Sequence, residues 1–225
     1  MKAGKVKRIF DVLISGMSLV ILSPIFLTIS ICIKLDSKGP VIFKQKRLGI
    51  NGKVFDMYKF RSMVPDAEKM AAGLFNYEND PRVTKVGRFL RNSSLDELPQ
   101  LVNVWKGDMS LVGPRPAVEY ELGDYETLNC KYKKRFRVKP GITGLAQIKG
   151  RNDNDWEEKV HYDNQYIGLF KKYGFMIDIK ILFATVGKVF EKSNIYEKKI
   201  DAALSDEESA RLAQEEVIRK AHEAV

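Results

Sequence analysis

The chain has 225 residues, 44% hydrophobic and 30% charged, which suffices for one domain with a substantial core and not for two large ones. Its formal charge of +9 is uneven: residues 191–225 carry six Lys/Arg against nine Asp/Glu, leaving about +12 on the first 190. The only histidines are His161 and His222, and the only cysteines, Cys32 in an apolar run and Cys130 beside basic sequence, are unsuited to a bridge; this excludes a zinc enzyme and a disulfide scaffold and leaves a basic body that seeks anions.

In chain order, Val12 to Ile33 is an uncharged, mostly apolar stretch, long enough to cross a bilayer as a helix and longer than the apolar region of a signal peptide. Lys2, Lys5, Lys7 and Arg8 precede it, and Lys34, Lys38, Lys44, Lys46 and Arg47 follow it. A crossing helix has its Lys/Arg excess on one side, so two basic flanks suggest a helix that enters and turns back at Ser23-Pro24. Pro24 lacks a backbone donor and crowds the preceding turn, while the Ser23 hydroxyl can serve a freed carbonyl. A straight or gently kinked spanning helix also tolerates one proline, and hydropathy does not separate the two.

Val41 to Lys46 and Lys53 to Lys59 read as a hairpin about Asn51-Gly52. Polar, glycine-bearing sequence leads to Pro81; residues 86–92 and 97–106 read as short helices, and 131–150 as loop and extended chain broken by Pro140, Gly141 and Gly144. Helices are predicted over 155–172 and 176–190. In the second, Ile179, Leu182, Phe183, Val186, Val189 and Phe190 recur at helical spacing with Lys180 and Lys188 between them, a pattern shared by interfacial and core-facing helices. The Ala/Glu-rich sequence from Ser193 reads as a solvated helix or a partly disordered end.

The segment Arg88 to Gln100 is the richest in chemistry. Two arginines, Arg88 and Arg91, precede the adjacent carboxylates Asp96 and Glu97, and Pro99 fits a helix that starts near Asp96. The positive end of a helix stabilises ionised carboxylates and binds phosphate, so Asp96 can be an anionic nucleophile beside an anion site. Ser94-x-x-Glu97 is equally a capping box, in which both side chains only satisfy backbone donors. Lys59 and Arg61 in Tyr58-Lys59-Phe60-Arg61, Arg82, Arg115 between prolines, and Arg151 after Gly150 extend a phosphate-handling inventory, because guanidinium forks match phosphate oxygens. In phosphoryl transfer one carboxylate can attack phosphorus while its neighbour holds a metal.

At these residues the chain resembles the bacterial sugar transferase family, the monotopic polyprenyl-phosphate phosphoglycosyl transferases. The similarity runs from about Lys7 to Phe190 through Lys7-Arg8-x-Phe10-Asp11, Ser23-Pro24, Gly39-Pro40-x-x-Phe43-x-Gln45, Tyr58-Lys59-Phe60-Arg61-Ser62-Met63 and Ser94-Leu95-Asp96-Glu97-Leu98-Pro99-Gln100. It continues through Asn103-x-x-Lys106-Gly107-Asp108-Met109-Ser110, Gly113-Pro114-Arg115-Pro116 and Pro140-Gly141-Ile142-Thr143-Gly144.

The resemblance implies an α+β, predominantly helical, monotopic membrane protein with an N-terminal re-entrant helix-break-helix at Ser23-Pro24, a short β-hairpin and interfacial amphipathic helices. The expected division is a membrane helix over 1–36, a catalytic domain over 37–192 on the cytoplasmic face of the bacterial cell membrane, and an acidic tail over 193–225. It further implies that a UDP-sugar and undecaprenyl phosphate react, with loss of UMP, through a phosphosugar on Asp96, with Glu97 binding Mg²⁺. Lys59, Arg88, Arg91, Arg115 and Arg151 become candidates for the donor, and Asp163 is a further site candidate or else a surface carboxylate. Membrane lipid and downstream glycosyltransferases are implied partners, and nucleic acid is not. The chain lacks the additional N-terminal membrane helices and domain of the larger relatives, so the small form of the family is expected. Two rivals are a transferase in which the lipid phosphate attacks the donor directly, and a basic membrane-tethered binding module in which Ser94 and Glu97 are only a cap.

Overall fold

The computed structural model describes residues 2–67, 70, 80–150, 154–190 and 207–223. Helices α1 (Lys2–Ile21) and α2 (Ser23–Asp36) meet at Leu22 with a bend of 60°. The bend has the cause read from the sequence. Pro24, in the first turn of α2, has no amide for the Val20 carbonyl, and the Ser23 hydroxyl donates to it instead at 2.8 Å. Among the described residues no single helix is long and apolar enough to cross a membrane, although the bent pair together is. Leu13, Met17, Val20, Leu27 and Leu35 on this pair are 58–83% exposed, an apolar surface that the rest of the described chain does not cover.

Three polar side chains dock α1 on the body. Lys7 donates to Asp178 at 2.6 Å and to the Val112 carbonyl at 2.8 Å, Arg8 donates to the Val104 and Trp105 carbonyls, and Asp11 accepts from the Leu111 amide at 3.0 Å. The motif Lys7-Arg8-x-Phe10-Asp11 is thus a docking device, and Lys7 and Arg8 are engaged by protein as well as being a basic flank.

Strands β1 (Ile42–Leu48) and β2 (Val54–Phe60) pair antiparallel from Ile42↔Phe60 to Leu48↔Val54. Asn51 (φ 53°) and Gly52 (φ 74°) supply the left-handed turn that the dipeptide predicts. Helix α3 (Lys85–Asn92) is capped by Thr84, whose hydroxyl accepts from the Gly87 amide at 3.0 Å. Gly87 has no alternative: a Cβ there would lie 1.9 Å from the Ser62 carbonyl oxygen, so α3 rests directly on the chain leaving β2.

Helix α4 is shorter than expected, Gln100–Lys106, with Pro99 at its N-cap, and Asp96 lies before it in a 3₁₀ turn, Leu95–Glu97. Asn103 of α4, fully buried, accepts from the Tyr58 amide at 3.0 Å and donates to the Asp56 carbonyl at 2.7 Å, which fixes α4 on β2. Strand β3 (Ser110–Val112) pairs in parallel with β4 (Gly141–Thr143).

Residues 131–150 are extended at β4, in keeping with the loop and extended chain expected there, and otherwise more helical than expected. They contain most of α5 (Cys130–Lys133), a 3₁₀ helix at Lys134–Arg137, β4 and α6 (Leu145–Lys149). The Asn129 side chain caps α5, and Tyr132 and Phe136, four residues apart, bury one face that five Lys/Arg around them disguise in the sequence.

Helices α7 (Trp156–Tyr173), begun by an Asp155/Glu158 capping box, and α8 (Met176–Phe190) match their predicted positions. On α8, Asp178 and Ile181 face the core while Phe183 (76% exposed) and Val186 (57%) point out, which overturns the core-facing reading for these residues. The tail is corrected in part: 193–206 lies outside the described residues, and α9 (Glu207–His222) docks on the body instead of standing in solvent. Ala221 is fully buried in a cluster with Leu48, Leu122 and Tyr132, and His222 Nε2 and Gln214 Nε2 approach the Leu122 and Glu121 carbonyls at 2.8 and 2.6 Å. The main core gathers Met57, Val104, Met109, Val112, Tyr166 and Ile181 beneath the hairpin and α4, each contributing about 1.5–3 kcal/mol on burial.

Candidate active site

The 3₁₀ turn brings Asp96 to the wall of a cavity of about 510 Å³, which Lys59, Arg61, Arg91, Arg115 and Arg135 also help to line. Ser94 enters the turn in a left-handed conformation (φ 56°, ψ 16°), an unusual state for a residue other than glycine, and forms no side-chain cap. The capping-box alternative therefore fails: Glu97 turns to two cations and not to the backbone. Its Oε1 accepts from Arg115 Nη2 at 2.8 Å and from Lys59 Nζ at 3.2 Å.

Those cations come from two stiff supports. Lys59 stands on β2, opposite Phe43 in the register. Arg115 leaves β3, where pairing continues past the strand through Gly113 N to Thr143 O (2.8 Å) and Gly141 N to Pro114 O (2.9 Å). Gly113, Gly141 and Gly144 permit this approach, since a Cβ on any of them would fall within 2.1–2.4 Å of backbone atoms. Burial raises the proton affinity of Glu97, but Arg115 and Lys59 outweigh it and hold the carboxyl far below its ordinary range. Asp96 behaves oppositely. Burial pushes its pKa up and Glu97 pushes it further, against Lys59, Arg91 and Arg115. Burial also lowers the pKa of Lys59, with Glu97 resisting. Among the described residues no side chain donates a hydrogen bond to Asp96, so its oxygens face the cavity uncommitted.

Arg91, on α3, donates to the Ser62 hydroxyl at 2.9 Å and lines the cavity. Arg88 lies on the exposed side of α3 and is not among the residues that line the cavity. Arg151 falls outside the described residues. Asp163 is not a surface carboxylate but is buried at 1% exposure, 2.9 Å from Arg135 Nη2, with burial lifting its pKa to about 6 against the pull of Arg135. Sequence reasoning missed Arg135 itself. It is 3% exposed, donates to the Arg115 carbonyl at 2.6 Å, stacks over Trp156 at 4.8 Å, and leaves Nε and Nη1 without partners. Its signal in the sequence is only a place in the basic run Lys131–Arg137.

Lys59, Arg115 and Arg135 thus line the cavity with Glu97 and Asp163 as their paired carboxylates, an arrangement with cations in excess that suits a polyanion. For a metal, the described residues contain no group of three or more ligating side chains. The second Glu97 oxygen and the Asp96 carboxylate fit a hard dication that takes its other ligands from water and phosphate, which is the habit of Mg²⁺.

A family model described as bacterial sugar transferase matches residues 2–192. The chain is 45% identical over 197 residues to a UDP-glucose:undecaprenyl-phosphate glucose-1-phosphate transferase of Klebsiella pneumoniae, a match that covers 84% of this chain and 41% of that protein. It is 43% identical over 205 residues to an undecaprenyl-phosphate galactose phosphotransferase of Salmonella typhimurium, with coverage of 84% and 41%. It is also 41% identical over 200 residues to the exopolysaccharide production protein ExoY of Rhizobium meliloti, covering 83% of this chain and 86% of that one. The chain thus spans about two fifths of the first two relatives and most of the third.

Proposed function

The chain belongs to the bacterial sugar transferase family, and from that premise we propose that it moves a sugar 1-phosphate from a UDP-sugar to undecaprenyl phosphate at the cytoplasmic face of the cell membrane, with release of UMP. What carries the reading is the pairing of an uncommitted, buried Asp96 carboxylate with a Glu97 held by Lys59 and Arg115, in a cation-lined cavity that reaches Pro40, just beyond the apolar helix pair.

In the first step an Asp96 oxygen attacks the sugar-bearing phosphorus of the donor. The bond from that phosphorus to the bridging oxygen breaks, and UMP leaves with the oxygen. In the second step an oxygen of the polyprenyl phosphate attacks the same phosphorus, the bond to Asp96 breaks, and the carboxylate is restored beside a lipid diphosphosugar. Lys59 and Arg115 neutralise charge on the phosphates, and catalysis rests on positioning and electrostatics, since the reacting group is already anionic. Glu97, with Asp96 close by, would hold Mg²⁺, which when bound supplies further charge neutralisation at the phosphate oxygens. The two steps suit substrates of opposite solubility, because the soluble donor reacts and departs before the lipid arrives. The lipid-linked product is of the class that glycosyltransferases extend.

The test is UMP release from a panel of UDP-sugars, UDP-glucose and UDP-galactose included, with Mg²⁺ and detergent-solubilised protein, with and without undecaprenyl phosphate. Acceptor-free UMP release, stoichiometric with enzyme and absent in Asp96→Asn, is expected. Full turnover by Asp96→Asn would defeat the covalent scheme, and UMP release that strictly requires acceptor would favour direct attack by the lipid phosphate.

A further inference from the structure

Arg61 is a buried cation of the cavity to which the scheme above gives no task. It follows β2 directly, is 5% exposed, and its Nη2 donates to the Ser37 carbonyl at 2.8 Å and the Ser37 hydroxyl at 2.9 Å, with the Ile33 carbonyl at 3.5 Å. These acceptors are the C-terminal end of α2, where a cation is favoured by the helix dipole. Capping uses one nitrogen only. Nε and Nη1 are buried without partners, and among the described residues no carboxylate pairs with Arg61. A buried cation with two unmet donors costs stability until an anion meets it. Gly39, at φ 121°, makes room for this arrangement: a Cβ there would lie 2.3 Å from Nη1.

Position narrows the choice of anion. Arg61 lines the same cavity as Asp96, and its bonds to Ser37 hold it against the end of α2, with Pro40 and Phe60 also in the lining. The neighbouring turn of α2 exposes Leu35 (83%) and Ile31 (52%), and Lys34 and Lys38 flank it. An acceptor whose tail lies along this apolar surface carries its phosphate monoester to the level of Arg61, whereas a soluble donor needs no such approach. We propose that Arg61 binds the phosphate of the polyprenyl acceptor and presents it to the phosphorus on Asp96, which makes it an acceptor-specific residue. The assignment rests on the function proposed above. Its chemistry adds no new step: the phosphate oxygen forms the new bond to phosphorus as the Asp96 oxygen leaves, and Arg61 stays protonated throughout.

The experiment uses the full chain in detergent with Arg61→Gln, Arg61→Lys and Ser37→Ala. Binding is read with farnesyl phosphate against farnesol, which needs no catalysis, and turnover with undecaprenyl phosphate and the best UDP-sugar. Expected results are a preference of wild type for farnesyl phosphate, lost in Arg61→Gln and partly kept in Arg61→Lys. The KM for undecaprenyl phosphate should rise tenfold or more in Arg61→Gln, while acceptor-free UMP release and the donor KM stay within twofold. Ser37→Ala, which trims the cap alone, should leave the acceptor KM within twofold. If Arg61→Gln fails to fold, the comparison rests on Arg61→Lys, which keeps the charge and loses the fork. Unchanged farnesyl phosphate binding in a folded variant, or donor and acceptor constants that move together, would overturn the assignment. Wild type that binds farnesyl phosphate no better than farnesol, and turns over no UDP-sugar, would instead sink the proposed function.

Discussion

Replacing Arg115 by Ala tests the electrostatic logic of the dyad most directly. The lost contact is the 2.8 Å bond to Glu97 Oε1, between an Arg side chain 42% exposed and a Glu side chain 21% exposed. A charge-assisted hydrogen bond contributes about 1.5–3 kcal/mol when well shielded, and an exposed ion pair about 0–1 kcal/mol. At this partial exposure about 1–1.5 kcal/mol is the appropriate value, roughly tenfold in rate, with Lys59 at 3.2 Å retaining part of the charge balance. If the fork also meets the donor pyrophosphate, a second contact of similar size brings the loss in donor kcat/KM to about a hundredfold. The fold should lose only about 2–6 °C in Tm, since 1 kcal/mol corresponds to about 2–4 °C in a chain of this size. The assay is single-turnover UMP release against donor concentration, beside a thermal melt, with Arg115→Lys as the variant that keeps charge without the fork. A loss near tenfold in a folded Arg115→Ala protein would show that Arg115 holds Glu97 but does not act on the donor, and a loss under fivefold would refute the electrostatic role itself.

Acceptor-free UMP release should follow a bell in pH. Asp96 must be ionised to attack and burial raises its pKa, so the acid limb should lie above that of a free carboxyl; burial lowers the pKa of Lys59, so the alkaline limb should lie below that of a free lysine, and a rate flat from about pH 4 to 10 would contradict both shifts. Asp163, with its pKa raised to about 6, binds its proton more tightly folded than unfolded, so its contribution to stability falls as pH rises from about 4 through 6; denaturant titrations should show this slope, and Asp163→Asn should flatten it. Pro24→Ala restores an amide for the Val20 carbonyl, and combined with Lys7→Ala, Arg8→Ala and Asp11→Ala, which release α1 from the body, it should straighten the 60° bend, so that single cysteines at Lys5 and Lys38, in a Cys32→Ser and Cys130→Ser background, change from labelling on one membrane face to labelling on opposite faces.

The features that were legible in the sequence are those set by neighbours along the chain. Asn51-Gly52 specifies a left-handed turn by itself, and Ser23-Pro24 supplies both the missing amide and the replacement donor. Asp96 and Glu97 stood out as an adjacent pair, but which of them is restrained and which is exposed to the cavity depends on Lys59 and Arg115, 37 and 19 positions from Asp96. Arg88 and Arg91 looked equivalent because both precede the dyad. At about 100° per residue, Arg91 lies about 40° from buried Gly87 and Arg88 about 100° away, so only Arg91 is carried inward. Arg135 and Asp163 are 28 residues apart on different helices, and nothing local in either segment announces a buried pair. Docking of α9 was likewise hidden, because its contacts are to backbone carbonyls at Glu121 and Leu122, which leave no mark on residue type.

The N-terminal helices constrain more than hydropathy alone did. Near its start, α1 is tied to the catalytic body by Lys7, Arg8 and Asp11, through bonds to β3, α4 and α8. At the other end of the apolar stretch, Asp36 accepts from the Val86 amide at 3.1 Å and Arg61 grips Ser37, so the end of α2 is tied to α3 and β2 of the same body. A straight helix of the described length would span about 50 Å at 1.5 Å per residue. If it crossed a bilayer, its two ends would emerge on opposite faces, and one polar body cannot hold both. With the bend at Leu22, the two sets of ties are compatible with a single face. The proposed function puts the exposed apolar surface of α1 and α2 in the bilayer. This is the geometry that a reaction between a soluble donor and a lipid phosphate requires, and it depends on the ties at both ends as much as on Pro24.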